Sequence, residues 1–274
     1  MPALPVNISG TIRTALQEDL GSGDRTAMLV PVSAMAGATV ITRERAVLCG
    51  TAWFDEVYRQ LDPAITVTWL AHDSDYISPG MTVCRLQGPA RALLSGERTA
   101  LNFLQLLSGT ATVTQEYVGL LAGYNTLLLD TRKTIPGLRS AQKYAVLCGG
   151  GHNHRMGLYD AVMIKENHIL AAGSISGAVA QVTAQGVPVE IEVENLKQLE
   201  EALMADVNTV LLDNFDLARL REAVRLNRGR ARLEASGSVN KDNIQAIAAT
   251  GVDFISSGAL TKHVRAIDYS MRFE

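Results

Sequence analysis

The sequence lacks any long hydrophobic run. No window reaches ~18 consecutive uncharged apolar residues, the usual length of a membrane span. The N-terminal segment MPALPVNISG also lacks the basic start and apolar stretch of a secretion signal. We therefore expect a cytoplasmic protein without a membrane partner.

Cysteine is scarce, and an excess of basic charge is missing. Three cysteines, Cys49, Cys84 and Cys148, are odd in number and form no CxxC pair, so neither a disulfide framework nor a structural zinc site is expected. We expect reduced thiols in the core. The formal net charge is -3 at pH 7, whereas a nucleic-acid-binding domain normally has a net basic face. The sequence therefore predicts no nucleic-acid partner, and any anion site must be a local cluster of basic residues.

The composition is that of a folded, enzyme-sized protein. The chain has 274 residues, of which 47% are hydrophobic and 19% charged, enough for a barrel-sized core or two domains. Residues 38–86 contain β-rich segments separated by the helical WFDEVYRQL and by a turn at Ser78. Residues 92–122 then have apolar residues at helical spacing, with interruptions expected at Gly96 and Gly109. We predict an α+β N-terminal domain followed by a helical connector.

Beyond residue 125, short apolar strands alternate with amphipathic helices. Such βα repeats predict a parallel sheet with right-handed crossovers. The predicted strands end at Asp130, Lys165, Glu194, Asp213, Ser236 and Gly258. Polar residues recur at strand after strand rather than around one switch point, which favours a βα barrel over an open doubly wound sheet. Because barrels have their active sites at the carboxyl ends of their strands, these polar residues are candidates for chemistry.

Basic side chains follow the first two of these strands. Arg132 and Lys133 follow one strand, Arg155 follows the Gly149–Gly151 turn, and Lys165 ends the next strand. The arginine fork suits carboxylates and phosphates, and lysine supplies a point charge. Four such cations would repel each other unless an anion lay between them. We therefore predict that they hold a multiply anionic substrate.

Two histidines, His154 and His168, lie beside these cations. A lone histidine near a glycine-rich loop is more typically a hydrogen-bonding scaffold group than a base, and the sequence contains no HExxH zinc pattern. We interpret both histidines as scaffold groups rather than metal ligands.

Acidic side chains follow the next two strands. In VEIEVE, strand alternation places Glu190, Glu192 and Glu194 on one face. A row of carboxylates facing inward is costly unless cations or hydroxyls pair with it. Asp213 ends the following strand. These carboxylates could bind ribose hydroxyls, hold Mg²⁺ or stabilise a developing positive charge, and the residues alone leave these roles open.

The last two strands end in small polar residues, Ser236-Gly237-Ser238 and Ser256-Ser257-Gly258. Either motif alone is equally typical of a tight turn. Phosphate binding by the loops after the last barrel strands is frequent, so the two motifs together favour a phosphate site. Arg98, in the apolar helical run near residue 100, is by itself only a surface charge.

Taken together, the motifs resemble, in order and spacing, the quinolinate phosphoribosyltransferase family, also called nicotinate-nucleotide pyrophosphorylase. The motifs are ALQEDLGSGD, GERTALNFLQLLSG, LLDTRKTIPGLR, KYAVLCGGGHNHRMGLYDAVMIKENHI, VEIEVEN, LLDNF, LEASG and GVDFISSGALTKHV. The likeness covers residues 12–273 and implies an N-terminal α/β sandwich domain joined to an incomplete, seven-stranded α/β barrel. We expect the sandwich over residues 1–108 and the barrel over 109–261, with 262–274 packing back on the sandwich.

The resemblance implies phosphoribosyl transfer from phosphoribosyl pyrophosphate to quinolinate, with decarboxylation, in NAD biosynthesis. It implies that Arg132, Arg155 and Lys165 hold the quinolinate carboxylates, with Arg98 of a partner subunit completing the site of a homodimer or higher oligomer. Lys133 and His154 would serve the phosphoribosyl pyrophosphate and the site network. Glu192 and Asp213 would lie near the ribose and its Mg²⁺, and Lys133, Lys165, Glu192 and Asp213 would be catalytic. The remaining substrate-binding positions are Thr131, Ser236, Gly237, Ser238, Ser257, Gly258 and Ala259.

Two alternatives are weighed against this function. A molybdate-transport-associated relative would share the fold but bind another ligand, and it would not need the four cations Arg98, Arg132, Arg155 and Lys165. A non-catalytic sensor of a phosphorylated metabolite would have no use for Glu192 and Asp213 beside an anion site. An assay with quinolinate, phosphoribosyl pyrophosphate and Mg²⁺ separates the three hypotheses.

Overall fold

The computed structural model describes residues 2–183 and 186–274. The chain divides into two compact units. Unit 1 comprises the residues up to Gln115 together with 135–150 and 263–274, and unit 2 comprises 116–134 and 151–262. The domain boundaries expected at residues 108 and 261 stay a prediction.

The described part of the chain forms α-helices and β-strands throughout its length. The helices are α1 (Ile8–Leu20), α2 (Thr51–Leu61), α3 (Ala90–Leu120), α4 (Arg139–Cys148), α5 (Glu166–Ala172), α6 (Ile175–Thr183), α7 (Leu196–Met204), α8 (Leu217–Asn227), α9 (Ile244–Ala248) and α10 (Ala259–Lys262). The strands are β1 (Met35–Thr42), β2 (Ala46–Val47), β3 (Thr66–Trp69), β4 (Tyr76–Ile77), β5 (Thr82–Pro89), β6 (Leu127–Leu129), β7 (Val162–Ile164), β8 (Val189–Val193), β9 (Thr209–Asp213), β10 (Arg232–Ser236), β11 (Phe254–Ser256) and β12 (Tyr269–Phe273).

Unit 1 is built on an antiparallel sheet with strand order β12-β1-β5-β3. Val40 of β1 lies opposite Met271 of β12 on one side and Cys84 of β5 on the other. Along β5, Cys84 and Leu86 are buried while Arg85 is exposed, the alternation of a sheet with one face on a core. The strand pairing of β12 joins the last residues of the chain to this unit.

Helix α2 supplies the aromatic part of the core in unit 1. Trp53, Phe54, Val57 and Tyr58 are all buried, a spacing that places them on one helical face. Phe54 meets Trp69 edge to face with ring centroids 5.2 Å apart. The burial of this face against the sheet is the main stabilising contribution of the helix.

The start of α2 is held by a residue distant in sequence. Asp73 Oδ1 accepts hydrogen bonds from the amides of Gly50 (3.0 Å) and Thr51 (3.1 Å), and its Oδ2 accepts one from the Tyr144 hydroxyl at 2.8 Å. Burial raises the pKa of Asp73 in spite of these bonds. The three cysteines are buried and free, as predicted.

Helix α3 runs without a break through both glycines at which interruptions were expected, so that expectation was wrong. The glycines serve packing instead. A Cβ at Gly109 would overlap the carbonyl oxygen of Arg265, and one at Gly96 would lie 2.7 Å from side-chain atoms of Leu61 and Tyr58. Despite its length, α3 is not a span: among the described residues, no helix combines the length and apolar character needed to cross a bilayer.

We predict that Gly109→Ala lowers the free energy of unfolding by about 1–3 kcal/mol, although alanine favours a helix by about 1 kcal/mol over glycine. The overlapping atom at Gly109 is a backbone oxygen, which cannot rotate away. Gly96→Ala is the matched control, because its nearest neighbours are side-chain atoms of Leu61 and Tyr58 rather than a backbone carbonyl. Thermal unfolding measures both. Equal or higher stability of Gly109→Ala than of Gly96→Ala would contradict this account of the helix.

Unit 2 contains the predicted parallel sheet, with strand order β6-β11-β10-β9-β8-β7. All six strands predicted beyond residue 125 are present, and the neighbouring strands are parallel. A parallel bridge between Leu129 and His152 adds a further extended segment beside β6. The predicted fold class is confirmed, since an antiparallel sheet unit is combined with a parallel α/β unit.

Candidate active site

The predicted site residues of unit 2 lie along the carboxyl edge of the parallel sheet. Asp213 ends β9 opposite Ser236, which ends β10. Lys165 directly follows β7, and Ser257 directly follows β11. Because parallel strands end at the same edge, the structure brings basic, acidic and small polar residues to one side of the sheet.

Lys165 and Glu192 form a short hydrogen-bonded ion pair between the ends of β7 and β8. The Lys165 side chain keeps 46% of its surface exposed, so the pair is open to solvent on one side. The amide of Lys165 donates to Nδ1 of His168 at 3.0 Å, so this histidine caps the start of α5. His168 therefore has the scaffold role predicted for it, and it holds the backbone of Lys165.

Glu190, two residues before Glu192, is buried beside His154. Its Oε2 lies 2.8 Å from Nε2 of His154, and Oε2 of Glu234 on β10 lies 3.4 Å from the same nitrogen. The expectation that inward carboxylates of β8 need cationic or polar partners is confirmed for Glu190 and Glu192. Glu194 is exposed.

Two carboxylates stabilise the proton that His154 carries on Nε2. Burial lowers the pKa of His154, whereas hydrogen bonds to Glu190 and Glu234 raise it and favour a proton on Nε2, the nitrogen that faces them. Nδ1 of His154 accepts a hydrogen bond from the amide of Arg155 at 2.8 Å, so the ring carries its proton on Nε2. Burial is the first cause of the raised pKa of Glu190, and the hydrogen bond to His154 partly offsets it.

Asp130, at the end of β6, fixes the segment that follows the triple glycine. It is completely buried. Its Oδ1 accepts a hydrogen bond from the amide of His154 at 2.9 Å, and its Oδ2 accepts one from Nδ2 of Asn153 at 2.6 Å. Asp130 thus holds two successive residues, Asn153 through its side chain and His154 through its backbone amide.

The two arginines of the predicted cluster lie near each other. Burial, and then the positive charge of Arg132, lower the pKa of Arg155. The Arg155 guanidinium donates to the carbonyl of Ala161 at 3.2 Å, which keeps it beside β7. Two neighbouring guanidinium groups repel each other, which favours an anion between them. The anion site expected from the sequence stays a prediction.

Lys133 is packed against the loop that follows β11. Its amide donates to Oγ1 of Thr131 at 3.0 Å, and its carbonyl accepts from Oγ1 of Thr261 at 2.8 Å. A Cβ at Gly258 would lie 2.9 Å from Cδ of Lys133, so a glycine leaves room for the lysine stem. In the same loop, the amide of Ala259 donates to Oγ of Ser257 at 3.3 Å.

Asp213 is oriented by its neighbour Asn214, whose Nδ2 donates to Asp213 Oδ2 at 2.8 Å. Asn214 has a positive φ of 54°. Gly237 (106°) and Ser238 (50°), in the loop that follows β10, also have positive φ values. A Cβ at Gly237 would overlap the Asn214 side chain, so this glycine is required by close approach as well as by its backbone angle. The two loops are therefore packed against each other at the sheet edge.

If phosphoribosyl pyrophosphate binds at this edge, as the sequence resemblance implies, we predict that Asn214→Gly raises its KM by about 3- to 10-fold, since one lost hydrogen bond costs about 1 kcal/mol. Asn214→Ala is expected to do the same and also to lower the melting temperature, because alanine disfavours a positive φ. Comparing the two variants by kinetics and thermal unfolding separates the hydrogen bond from the backbone. An unchanged KM in both would show that Asn214 does not orient Asp213.

Sequence reasoning missed Glu234 and the role of Asn214. Glu234 is almost wholly buried in β10, and the signal for it was a carboxylate inside the apolar strand RLEAS. Arg98 lies on α3 in unit 1 and is exposed. Its predicted role in a partner's site stays a prediction.

Comparison with known families covers both units. Residues 24–108 match the family described as the quinolinate phosphoribosyl transferase N-terminal domain, and residues 110–272 match the C-terminal domain of the same family. The two matches together cover most of the chain.

Similar proteins match over 80% or more of their length. The chain is 40% identical to the chloroplastic carboxylating nicotinate-nucleotide pyrophosphorylase of Oryza sativa subsp. japonica, over 100% of this chain and 80% of that protein. It is 40% identical to the probable carboxylating nicotinate-nucleotide pyrophosphorylase of Bacillus subtilis, over 93% and 89%. The solved structure of the nicotinate-nucleotide pyrophosphorylase from Francisella tularensis has a TM-score of 0.96 and 48% identity, over 99% and 98% of the two chains. The chain belongs to the quinolinate phosphoribosyltransferase family.

Proposed function

We propose that the carboxyl edge of the unit 2 sheet binds quinolinate beside its basic residues and phosphoribosyl pyrophosphate beside its acidic and glycine-containing loops. The reaction of the family is also that of this chain: phosphoribosyl transfer to quinolinate with decarboxylation, forming nicotinate mononucleotide in NAD biosynthesis. The observation that supports the proposed site most directly is the proximity of Arg132 and Arg155, two cations whose repulsion a dicarboxylate would relieve.

In this proposal, Arg132, Arg155 and Lys165 take the two quinolinate carboxylates. Arginine can bind a carboxylate through two parallel hydrogen bonds, which fixes the plane of the pyridine ring as well as its position. Lys165 is held by Glu192. A substrate carboxylate would therefore share Lys165 with Glu192. In this way Lys165 would connect the quinolinate region to the ribose region.

The chemistry proposed for the chain is mainly charge complementarity. As the bond between the anomeric carbon and pyrophosphate breaks, the ribose becomes oxocarbenium-like, and Glu192 and Asp213 stabilise this positive charge. Lys133 neutralises the departing pyrophosphate. The lone pair of the pyridine nitrogen then forms the new bond to the anomeric carbon. The cationic ring accepts the electrons of the adjacent carbon–carboxylate bond, CO₂ leaves, and a proton takes its place.

The phosphate groups are assigned to the loops that follow β6, β10 and β11. The residues proposed to line this region are Thr131, Ser236, Gly237, Ser238, Ser257, Gly258 and Ala259. Their hydroxyls and amides can donate to phosphate oxygens, and Gly237, which has a positive φ, lets the backbone approach a ligand closely.

The acidic residues at this edge fit a magnesium ion. Glu192 and Asp213 supply oxygen ligands, which Mg²⁺ prefers, and one or two carboxylates with substrate phosphates and waters usually suffice for this ion. When bound, the ion would neutralise charge on the pyrophosphate. Asn214, through its hydrogen bond to Asp213, would keep that carboxylate in position.

A homodimer is proposed in which Arg98 of each chain reaches the partner's quinolinate region. In support, Arg98 is an exposed cation in a largely apolar helix, and the motif GERTALNFLQLLSG that contains it resembles the family. The cytoplasmic location expected from the sequence stays a prediction.

The test is a product assay with the purified protein, quinolinate, phosphoribosyl pyrophosphate and Mg²⁺. Nicotinate mononucleotide, pyrophosphate and CO₂ are expected in equal amounts, and removal of Mg²⁺ by a chelator is expected to abolish their formation. Binding of quinolinate without any product would contradict the enzymatic function and favour a binding protein. Nicotinate in place of quinolinate is the control substrate, since it lacks the carboxylate that leaves.

A further inference from the structure

The His154 ring has no nitrogen left for a substrate. Nε2 faces Glu190 at 2.8 Å and Glu234 at 3.4 Å, and Nδ1 accepts the amide proton of Arg155 at 2.8 Å. The side chains of His154, Glu190 and Glu234 are only 12%, 10% and 1% exposed. The ring is thus a buried link between two strands and the segment that carries Arg155.

The two carboxylates are unusual as structural groups. Within the part of the chain that the structure describes, Oε1 of Glu190 and Oε1 of Glu234 are buried and have no hydrogen-bond partner. A buried polar atom in this state costs free energy, and apolar residues of similar volume in its place are often neutral or stabilising. Stability alone therefore does not explain two such carboxylates facing one histidine.

A metal ion does not explain the cluster either. The three groups offer ligand atoms within 4.8 Å of one another. A histidine ligand must present an unprotonated nitrogen to the metal. Because Nδ1 of His154 accepts the Arg155 amide proton, Nε2 has to keep its own proton and cannot be that ligand.

The contacts of the cluster lead instead to Arg155. The carboxylates hold the proton on Nε2, which leaves Nδ1 as the acceptor that the Arg155 amide needs. Asp130 holds the preceding amide, that of His154. With its backbone held in this way, Arg155 can direct its guanidinium toward Ala161 and lie close to Arg132.

We infer that Glu190 and Glu234 are positioning residues for substrate binding, which act through His154 to hold Arg155 beside Arg132. His154 is then a positioning residue rather than a substrate ligand. The inference rests on the proposed function, in which Arg132 and Arg155 take a quinolinate carboxylate.

The test compares Glu190→Leu/Glu234→Leu with Glu190→Gln/Glu234→Gln. The leucines are close in volume but accept no hydrogen bond, whereas each glutamine keeps an acceptor for Nε2–H. The leucine variant is expected to raise the KM for quinolinate by about tenfold, since a misplacement near 1 Å can cost up to about 100-fold. The KM for phosphoribosyl pyrophosphate and kcat are expected to stay within about twofold, and the glutamine variant is expected to recover most of the quinolinate KM.

The phosphoribosyl pyrophosphate KM also serves as a control for Glu192, which lies two residues from Glu190 on the same strand. A change in that KM alone would show that the substitution acts through β8 and would overturn the inference. An unchanged quinolinate KM in the leucine variant, with an Arg155→Ala variant raising it, would also overturn the inference while leaving the proposed function intact. Absence of product from the wild-type protein would instead overturn the proposed function itself.

A second measurement uses the wild-type protein and does not depend on the variants folding. Nitrogen-15 NMR of protein labelled at histidine reports which ring nitrogen carries a proton. At neutral pH, His154 is expected to be protonated on Nε2 and unprotonated on Nδ1, with assignment from a His154→Gln variant. A ring protonated on Nδ1 would exclude the bond to the Arg155 amide and overturn the inference.

Discussion

Replacing Lys165 with alanine is expected to lower kcat/KM for quinolinate by about 100- to 1,000-fold, the loss typical when one preorganised charged donor is removed from an active site. The substitution removes a cation proposed to face a substrate carboxylate. It also releases Glu192, which would then be an unpaired carboxylate close to an anionic substrate. Both effects disfavour binding of quinolinate, so the effect is expected to exceed that of any surface lysine.

Lys197→Ala is the matched control, because Lys197 is an exposed lysine on α7 of the same unit. Its kcat/KM is expected to equal that of the wild type. Steady-state kinetics at saturating phosphoribosyl pyrophosphate measures both variants, and thermal unfolding verifies that both are folded. A Lys165→Ala protein that keeps activity within a few-fold of Lys197→Ala would remove Lys165 from the proposed site.

Mixing two inactive variants is expected to restore activity if the site is shared between subunits. Arg98→Ala and Lys165→Ala each disable every site of their own homodimer. In a hybrid dimer, one of the two sites receives intact residues from both chains. After equal mixing with full subunit exchange, half of the dimers are hybrids, so about one quarter of wild-type activity is expected.

The control mixture is Lys165→Ala with Glu192→Ala. These residues form an ion pair within one chain, so each site of a hybrid would still contain one defect and no activity should return. Recovery of activity in this control mixture would show that mixing restores activity by a route other than a site shared between subunits. No recovery with Arg98→Ala, while mass measurement shows that hybrids have formed, would contradict the proposed role of Arg98.

The sequence predicted the elements of unit 2 and the position of its polar residues because local patterns determine them. Short apolar strands separated by amphipathic helices are visible along the chain, and each strand ends at a polar residue such as Lys165 or Asp213. Since parallel strands share a carboxyl edge, these residues could be grouped without knowing any distance.

The features that were not predicted depend on contacts between residues distant in sequence. Glycine in a helix usually marks an interruption, but Gly109 lies within α3 because the carbonyl of Arg265 occupies the space of a side chain. In the sequence, Glu234 is an isolated carboxylate within an apolar strand. Its role becomes visible only from its contact with His154, which lies in another segment of the chain. Hydrophobic periodicity contains no information about such pairs.

The central claim is that the basic residues of this edge recognise a dicarboxylate. The most direct test is calorimetric titration of quinolinate and of nicotinate, which has one carboxylate fewer, into the wild type and Arg155→Ala. Quinolinate is expected to bind the wild type about 10- to 100-fold more tightly, the equivalent of about 1.5–3 kcal/mol for a charged hydrogen-bonded contact, and Arg155→Ala is expected to lose most of this preference. Equal binding of the two ligands by the wild type, or an undiminished preference in Arg155→Ala, would contradict the account.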